Sequence, residues 1–208
     1  MDKINKPLVI VANGKFPDNS VPLEILNNAK YIIACDGATD KLLKNGYKPN
    51  LIIGDLDSIT IKNMKKYNRI IKKESDQNEN DLRKAINYAI KKNINKLSII
   101  GADGIREDHL IGNIFSLFKY PDINIKLFTN TGIFYLVNDS KKIKSFKGQK
   151  VSIFTADNTI KIESKGLKYN FNKDALSTLF SGTLNKSNRS FFNLKISHGS
   201  LLIYQSYK

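Results

Sequence analysis

Two aspartates that are two positions apart, Asp55 and Asp57, follow the apolar run LIIG, with Asp55 directly after it. Carboxylate oxygens at close range suit a hard divalent cation such as Mg²⁺, which prefers oxygen ligands at about 2.1 Å and often bridges carboxylates to substrate phosphates. The two side chains point the same way if a strand continues through them, and a turn could also converge them. For Asp55 alone, turn formation after a strand is an equal explanation. The pair predicts a cation site that binds polyphosphate through the metal.

Polar residues also follow three other apolar runs in the first half of the chain. Asp36 follows YIIAC, the residues Asp76, Gln77 and Asp81 follow RII, and Arg106, Asp108 and His109 follow LSII. The segments that follow the strands of a parallel α/β sheet gather at one edge, where ligands bind. We therefore expect four separate segments to build one site.

Some of these residues have simpler explanations. Asp81 and Asp108 each fall in the first turn of a predicted helix, where a carboxylate caps exposed backbone N–H groups and is favoured by the helix dipole. Arg106 follows the glycine-bearing segment GADGI, so its guanidinium can hold phosphate oxygens bidentately, with an ordinary surface arginine as the alternative. The two histidines lack the neighbours of a zinc site, and the single cysteine, Cys35, cannot complete one.

The elements that would position these residues alternate between strands and helices up to about residue 128. The strand candidates are PLVIVA, YIIAC, LIIG, RII, LSII and INIKLF. The clearest helix spans residues 79–92, with a buried stripe of Leu82, Ala85, Ile86, Ala89 and Ile90. A second helix over residues 107–119 places Leu110, Ile114, Leu117 and Phe118 on a comparable face. The alternation predicts a mainly parallel sheet covered by helices.

Beyond about residue 130 the helical periodicity fades and short strand candidates follow one another. They are GIFYLV, KVSIF, TIKIE, LKYNF, FNLKIS and SLLIY, with turn-like breaks such as NDS, KGQ and HGS between them. This half is typical of an antiparallel sandwich or barrel. The predicted fold is an α/β N-terminal domain with a mainly parallel sheet over residues 1–130, followed by a smaller all-β sandwich domain over residues 131–208.

Composition limits the classes of protein that fit. The chain carries 34 Lys and Arg against 19 Asp and Glu, a formal charge of +15, which suits a nucleic-acid-binding module. The lysines are scattered along the chain rather than clustered, which favours ordinary solvated faces. A single cysteine excludes an internal disulfide, no apolar run approaches the roughly 20 residues of a membrane span, and the start lacks the apolar stretch of a signal peptide. We expect a cytoplasmic protein without membrane or nucleic-acid partners.

Taken in order, the segments DGA, GDLDS, DQNENDLRKAI and GADGIREDH, followed later by GLKY and SGTLNKSN, resemble the thiamine pyrophosphokinase family. Each string is short, but their order and spacing together are specific and run from Asp36 to Asn188. The resemblance implies an α/β domain followed by a β-sandwich domain, in a homodimer with active sites between subunits. It also implies transfer of pyrophosphate from ATP to thiamine with Mg²⁺, giving thiamine diphosphate and AMP.

The resemblance also implies roles for particular residues. Asp55 and Asp57 match the acidic pair of the family, and Asp81 matches the aspartate of the next motif; these three would hold Mg²⁺ and polyphosphate. Arg106 and Asp108 match an Arg-x-Asp segment, with Arg106 suited to phosphate charge and Asp108 to metal or hydroxyl contact. The remaining matches concern substrate binding and are Asp36, Gln77, Ser187 and Asn188, the last two associated with thiamine.

The chain departs from the family pattern at several positions. Asn80 stands where threonine is usual, Asn78 where an acid is common, and Ile105 where a second glycine is frequent. The chain has no tryptophan, so stacking on the thiazolium ring requires Tyr or Phe, with Tyr169 one candidate. Without the resemblance, Ser187 and Asn188 would be read as turn formers.

The predicted function is therefore an ATP-dependent thiamine diphosphokinase. One alternative is a Mg²⁺-dependent phosphohydrolase, because acids at strand ends also suit attack of water on phosphate. The other is a basic nucleic-acid-binding module with salt-dependent affinity.

Overall fold

A computed structural model describes residues 4–76 and 78–208 of the chain. The chain divides into two compact units. The first contains the residues up to Ser116 together with Asp122–Asn130, and the second contains Leu117–Pro121 and Thr131–Lys208. None of the helices among the described residues is both long enough and apolar enough to traverse a bilayer.

The first unit contains a parallel sheet of short apolar strands. Its strands are β1 (Leu8–Val11), β2 (Tyr31–Cys35), β3 (Leu51–Gly54), β4 (Ile71–Lys73), β5 (Lys96–Ile100) and β6 (Asn124–Phe128). They lie in the order β6-β5-β1-β2-β3-β4, and all five pairings are parallel. In the centre, Ile10 lies opposite Ile33 on one side and Ile99 on the other, and all three are fully buried. Strands buried on both faces read as continuous apolar runs, which is what the sequence shows.

Among the described residues, five α-helices accompany this sheet, and a 3-10 turn at Asn68–Ile70 precedes β4. The α-helices are α1 (Ser20–Asn27), α2 (Ala38–Lys44), α3 (Ile61–Lys66), α4 (Asp81–Lys91) and α5 (Glu107–Phe115), and a 3-10 turn at Ser116–Lys119 follows the last of them. Helix α4 buries Leu82, Ala85, Ile86 and Ala89, as the spacing predicts. It begins at Asp81, two residues later than expected, because the side chain of Asn80 caps the helix by accepting a hydrogen bond from the Arg83 N–H.

The second unit is all-β. Its strands are β7 (Gly132–Val137), β8 (Lys141–Lys144), β9 (Lys150–Phe154), β10 (Ile162–Lys165), β11 (Asn172–Asp174), β12 (Asn185–Lys186), β13 (Phe191–Ile196) and β14 (Leu201–Ser206). One group runs in the order β12-β9-β14-β7 and a separate sheet runs β11-β10-β13-β8, with antiparallel pairing throughout. Its core includes Val151, Ile162, Phe192 and Ile203.

The predicted fold class is confirmed: an α/β domain with a mainly parallel sheet precedes a smaller antiparallel sandwich. One strand was predicted where none forms, and another strand was not predicted. The segment LKYNF is not a strand, because Leu167 makes only an isolated bridge to Ser187 and Tyr169 exchanges hydrogen bonds with the side chain of Asn185. The lysine-rich segment Lys141–Lys144 is a strand whose single apolar residue, Ile143, points into the core.

Candidate functional site

Three aspartates meet where β2 and β3 end side by side. Asp36 follows β2, and Asp55 and Asp57 follow β3, which pairs with β2 in parallel. Each of the three side chains offers a carboxylate oxygen, and these oxygens all lie within 4.8 Å of one another. The carboxyl edge of the sheet therefore brings together acids from two separate segments, 19 and more residues apart in sequence.

Asp36 is the buried member of the group, with about 1% of its surface exposed. Its backbone adopts a left-handed conformation, φ +41°, which aspartate tolerates better than most residues. Its two carboxylate oxygens accept hydrogen bonds of 3.0 Å from the N–H groups of Ser58 and Ile59. Burial raises the pKa of Asp36 to about 6, and these N–H donors oppose the rise. Asp36 thus fixes the segment after β3 while adding negative potential to the site.

A tight turn, not a continued strand, converges Asp55 and Asp57. Strand β3 ends at Gly54, and Leu56 lies in the left-handed region at φ +72°, which a leucine rarely adopts. The N–H of Asp57 lies 3.4 Å from Oδ1 of Asp55, and the Ser58 hydroxyl donates to Asp57 Oδ1 at 2.7 Å. That hydroxyl bond lowers the pKa of Asp57. A strained backbone conformation such as that of Leu56, between two acids, is typical of a turn with a functional role.

Asp81 approaches the same edge from the first turn of α4. A Cβ atom added to Gly54 would lie 2.8 Å from Asp36 Cβ and 3.0 Å from Asp81 Oδ2, so both acids press against this glycine. Asp81 Oδ1 accepts a 3.0 Å hydrogen bond from the ammonium of Lys84. Burial raises the pKa of Asp81, and the Lys84 bond opposes the rise. Only a glycine at position 54 leaves room for this arrangement.

A cleft of about 370 Å³ lies in the first unit beside these acids. Its lining comes from the ends of several strands and helices and includes Asn13, Gly14, Lys41, Ser58, Asn80, Asp81, Asp103, Arg106, His109 and Asn113. The segment after β1 runs along the segment after β5, since the Gly14 N–H donates to Gly101 O and the Lys15 N–H to Asp103 O. A Cβ at position 14 would lie 2.4 Å from Gly101 O, so the two segments can approach this closely only at a glycine.

Arg106 and Asp108 form an exposed bidentate ion pair at the start of α5. Arg106 donates from Nε at 3.1 Å and from a terminal nitrogen at 2.6 Å to the two carboxylate oxygens of Asp108. This pairing raises the pKa of Arg106 and lowers that of Asp108. Because both side chains are more than half exposed, the pair can open to bind a phosphate without a large desolvation cost.

The acid group fits a hard divalent cation. At bond lengths of about 2.1 Å, the oxygen ligands of one octahedral Mg²⁺ lie about 3.0 Å apart when adjacent and about 4.2 Å apart when opposite. The three carboxylate oxygens, which lie within 4.8 Å of one another, would therefore have to move closer together to share one ion. Asp55 and Asp57 are the more accessible ligands, since both oxygens of Asp36 already accept N–H bonds. Asp81 lies against Gly54 with Oδ2 directed at the same edge, and its role as a ligand stays a prediction.

Ser187 and Asn188 lie in the second unit, where their side chains hold a turn. The Ser187 hydroxyl is buried, lies 2.7 Å from the Ser145 hydroxyl and donates to the Arg189 carbonyl at 2.9 Å. The Asn188 side chain donates to the Leu167 carbonyl at 3.1 Å. Their predicted role in binding thiamine stays a prediction, as does that of Gln77, which lies outside the described residues. Tyr169 is exposed.

Sequence reasoning missed several residues of the cleft. The Lys41 ammonium donates to Asn13 O, Asn13 Oδ1 and Gly14 O, which fixes the segment after β1. The Asn80 side chain donates to Asn113 Oδ1 at 2.9 Å and so joins the N-cap of α4 to the last turn of α5, 33 residues away in sequence. No short motif in the sequence signals either contact. The position of Lys41, little more than one helical turn after Asp36, is the nearest the sequence comes to such a signal.

Two family models together match most of the chain. Residues 23–129 match the model described as thiamin pyrophosphokinase, catalytic domain, and residues 132–204 match the one described as thiamin pyrophosphokinase, substrate-binding domain. The boundary between the two matches falls beside Thr131, at the junction between the two compact units.

Individual relatives agree with the family models. A thiamine pyrophosphokinase of Bacillus subtilis is 33% identical over 130 residues, 59% of each chain. Thiamine pyrophosphokinase 2 of Arabidopsis thaliana is 30% identical over 154 residues, 62% of this chain and 57% of its own length. The matched regions thus span less than two thirds of these curated relatives.

Solved structures of low sequence identity share the fold. A thiamin pyrophosphokinase from Geobacillus thermodenitrificans superposes with a TM-score of 0.80 at 22% identity and covers 97% of both chains. The yeast thiamin pyrophosphokinase gives a TM-score of 0.79 at 19% identity over 96% of this chain and 86% of its own. At this identity the likeness concerns the fold alone.

Proposed function

Since the chain belongs to the thiamin pyrophosphokinase family, we propose that it transfers pyrophosphate from ATP to thiamine, giving thiamine diphosphate and AMP. The observation that carries this proposal is the group of Asp36, Asp55 and Asp57, whose carboxylate oxygens lie within 4.8 Å of one another. The group lies beside a cleft that Asp81 and Arg106 line, and a cleft with convergent acids and a cation suits a metal–nucleotide complex.

Asp55, Asp57 and Asp81 would hold Mg²⁺, with Asp36 behind them. When bound, Mg²⁺ neutralises charge on the polyphosphate and orients it for displacement. Acidic side chains alone would repel an anionic substrate, but a bound metal ion would allow these carboxylates to bind it.

The reaction needs positioning and charge neutralisation from the protein more than covalent chemistry. The thiamine hydroxyl oxygen attacks the β-phosphorus of ATP, the bond from that phosphorus to the α,β-bridging oxygen breaks, and AMP leaves with the electron pair. Arg106 binds phosphate oxygens as the negative charge shifts, once its ion pair with Asp108 opens. The hydroxyl proton passes to a carboxylate at the edge of the site: Asp57, Asp81 or Asp108.

Thiamine binding and a homodimer with its active site between subunits are part of the same proposal. The second unit carries exposed apolar side chains, with 71% of Phe180 and 87% of Leu184 accessible and Tyr169 and Leu179 about half so. Where such exposed side chains form one contiguous patch, they mark an interaction surface. A second copy of the chain would cover them. Light scattering on the purified protein tests this, with a dimer expected for the wild type and a monomer for Phe180→Ser/Leu184→Ser.

Product analysis tests the activity. Purified protein with ATP, Mg²⁺ and thiamine should produce AMP and thiamine diphosphate in equal amounts, measured by mass spectrometry, and excess chelator should stop the reaction. ADP and thiamine monophosphate would contradict transfer of pyrophosphate. Phosphate release without thiamine is the result that the hydrolase alternative predicts, and salt-sensitive nucleic-acid binding indifferent to Asp57→Asn is the result that the binding-module alternative predicts.

A further inference from the structure

Lys84 is a buried cation that the mechanism above does not use. It lies on α4, one turn after Asp81, and only 6% of its side chain is exposed. Lysine is almost never buried unless its ammonium is paired, because removal of the charge from water is costly. A lysine placed among Leu82, Ala85 and Ile86 on the buried face of this helix therefore calls for a specific partner.

The partner is one oxygen of Asp81. The ammonium donates to Asp81 Oδ1 at 3.0 Å, an i, i+3 pair along one helix face. The other oxygen, Oδ2, is the atom that lies against Gly54, beside Asp36. Lys84 thus fixes the rotation of the carboxylate, with one oxygen bound to the lysine and the other turned towards the acid group.

Lys84 contacts Asp81 without lining the cleft. Among the described residues, the cleft lining includes Asp81 but not Lys84. Lys84 instead lines a separate cavity of about 330 Å³ with Glu74, Asn87 and Tyr88. A ligand in the cleft would contact Asp81 and not the lysine. The one direct bond from Lys84 to the acids described above is the bond to Asp81, and its charge also acts on Asp57 through space.

We propose that Lys84 is a positioning residue for the cation–nucleotide complex, holding the Asp81 carboxylate so that its free oxygen faces the edge of the sheet where Asp55 and Asp57 converge. This inference rests on the proposed function for the identity of the ligand. Groups that orient a metal-binding side chain affect metal affinity by about 10- to 100-fold when removed.

Binding of Mn²⁺ measured by electron paramagnetic resonance tests the proposal, with α,β-methylene ATP present because its bridging carbon blocks transfer. Lys84→Met should weaken Mn²⁺ binding on the order of 10-fold. Lys84→Arg, which keeps the cation, should recover part of the loss. Lys91→Met, an exposed lysine on the same helix, is the matched control and should bind like the wild type.

A double-mutant cycle separates positioning from a general structural effect. In an Asp81→Asn background, Lys84→Met should produce no further loss of Mn²⁺ affinity. Wild-type affinity in Lys84→Met, or the same loss in both backgrounds, overturns the proposal. Should Lys84→Met fail to give a cooperative thermal transition, Lys84→Arg takes its place: an equal loss of affinity with and without Asp81 overturns the proposal.

The two proposals can fail separately. The Mn²⁺ assay contains no thiamine, so absence of thiamine diphosphate in the product assay would overturn the function and leave the coupling of Lys84 to Asp81 intact. An active enzyme whose Mn²⁺ affinity is indifferent to Lys84 would keep the function and overturn the inference.

Discussion

The acid edge of the first unit and the Ser187–Asn188 turn of the second unit use polar residues in opposite ways. At the acid edge, Asp36, Asp55 and Asp57 bring like charges within 4.8 Å, which disfavours the folded state. At the turn, the Ser187 hydroxyl and the Asn188 amide are both engaged in hydrogen bonds that hold the backbone. The first arrangement is available to a ligand, whereas the second contributes to the stability of the fold.

This difference predicts opposite consequences of substitution. A residue that gathers charge for a ligand should be replaceable without loss of stability but with loss of activity. A residue whose polar atoms hold a turn should show the reverse balance. The predictions that follow test where each residue falls.

The largest effect is expected for Asp57→Asn. The substitution keeps the size of the side chain but removes a charge from the acid group, so turnover to AMP should fall by at least about 100-fold, the loss typical of one group that stabilises developing charge. The midpoint of thermal unfolding should change little, since relief of the repulsion with Asp55 and Asp36 is offset by a weaker hydrogen bond from the Ser58 hydroxyl, which favours the charged form of Asp57. Asp122→Asn, an exposed aspartate of the first unit, is the control. An unchanged rate would remove Asp57 from the site.

Asp36→Asn tests the electrostatic cost of the acid edge. The pKa of Asp36 is raised from 3.8 to about 6, so the folded chain holds a proton between these values that the unfolded chain has released. The stability from this group is present below pH 4 and is lost as pH rises through 6. The free energy of unfolding of the wild type minus that of the variant should therefore decrease as pH rises from 4 through 6. The decrease should reach up to about 3 kcal/mol, at about 1.4 kcal/mol per pKa unit.

Urea unfolding at pH 4 to 7.5 in the presence of a chelator measures this difference. Addition of Mg²⁺ at pH 7.5 should restore the relative stability of the wild type, because a cation compensates the buried charge. A stability difference that is flat with pH would contradict the raised pKa.

Ser187→Ala probes the other side of the comparison. The hydroxyl is buried and hydrogen-bonded, so its loss should lower the free energy of unfolding by about 1–2 kcal/mol, measured by urea denaturation. Ser190→Ala, an exposed serine three residues on, should change the free energy little. A raised KM for thiamine with unchanged stability would instead place Ser187 with the ligand-binding residues and break the comparison.

The sequence predicts the acid edge well because its signals are local. The sequence shows an apolar run followed by the acids Asp55 and Asp57, and parallel-sheet geometry brings Asp36 to the same edge. The turn at Leu56 could not be predicted, because a leucine at positive φ has no sequence signature. Lys84 was missed because an i, i+3 acid–lysine pair looks the same on a solvated face as on a buried one.

Contacts between distant segments were beyond the reach of sequence patterns. The hydrogen bond from Asn80 to Asn113 joins residues 33 apart, and nothing at either position indicates the other. In the second unit, Lys141–Lys144 lacks the alternation of a strand because only Ile143 is apolar. Its pairing with β13 supplies the missing information, since Phe192 lies opposite Ile143 and both are buried.

The smallest effect is expected for Asn80→Thr, which introduces the residue usual at this position in the family. Threonine also caps a helix, so the bond to the Arg83 N–H can be replaced, but the bond from the Asn80 amide to Asn113 is lost. Both residues line the cleft, where water can replace the lost donor, so the free energy of unfolding should fall by about 0.5–1 kcal/mol.

Urea denaturation of Asn80→Thr, Asn113→Ala and the double variant checks this by a cycle, since a hydrogen bond between the two side chains should make the double variant less destabilised than the sum of the singles. Additive losses would show that the amide pair contributes nothing to stability. The KM for ATP of the same variants should then decide to which side of the comparison the pair belongs. A loss of stability at constant KM for ATP groups Asn80 with Ser187 as a residue that holds the backbone. A changed KM at constant stability groups it with Asp57, because the amide of Asn113 would then be serving the nucleotide and not the fold.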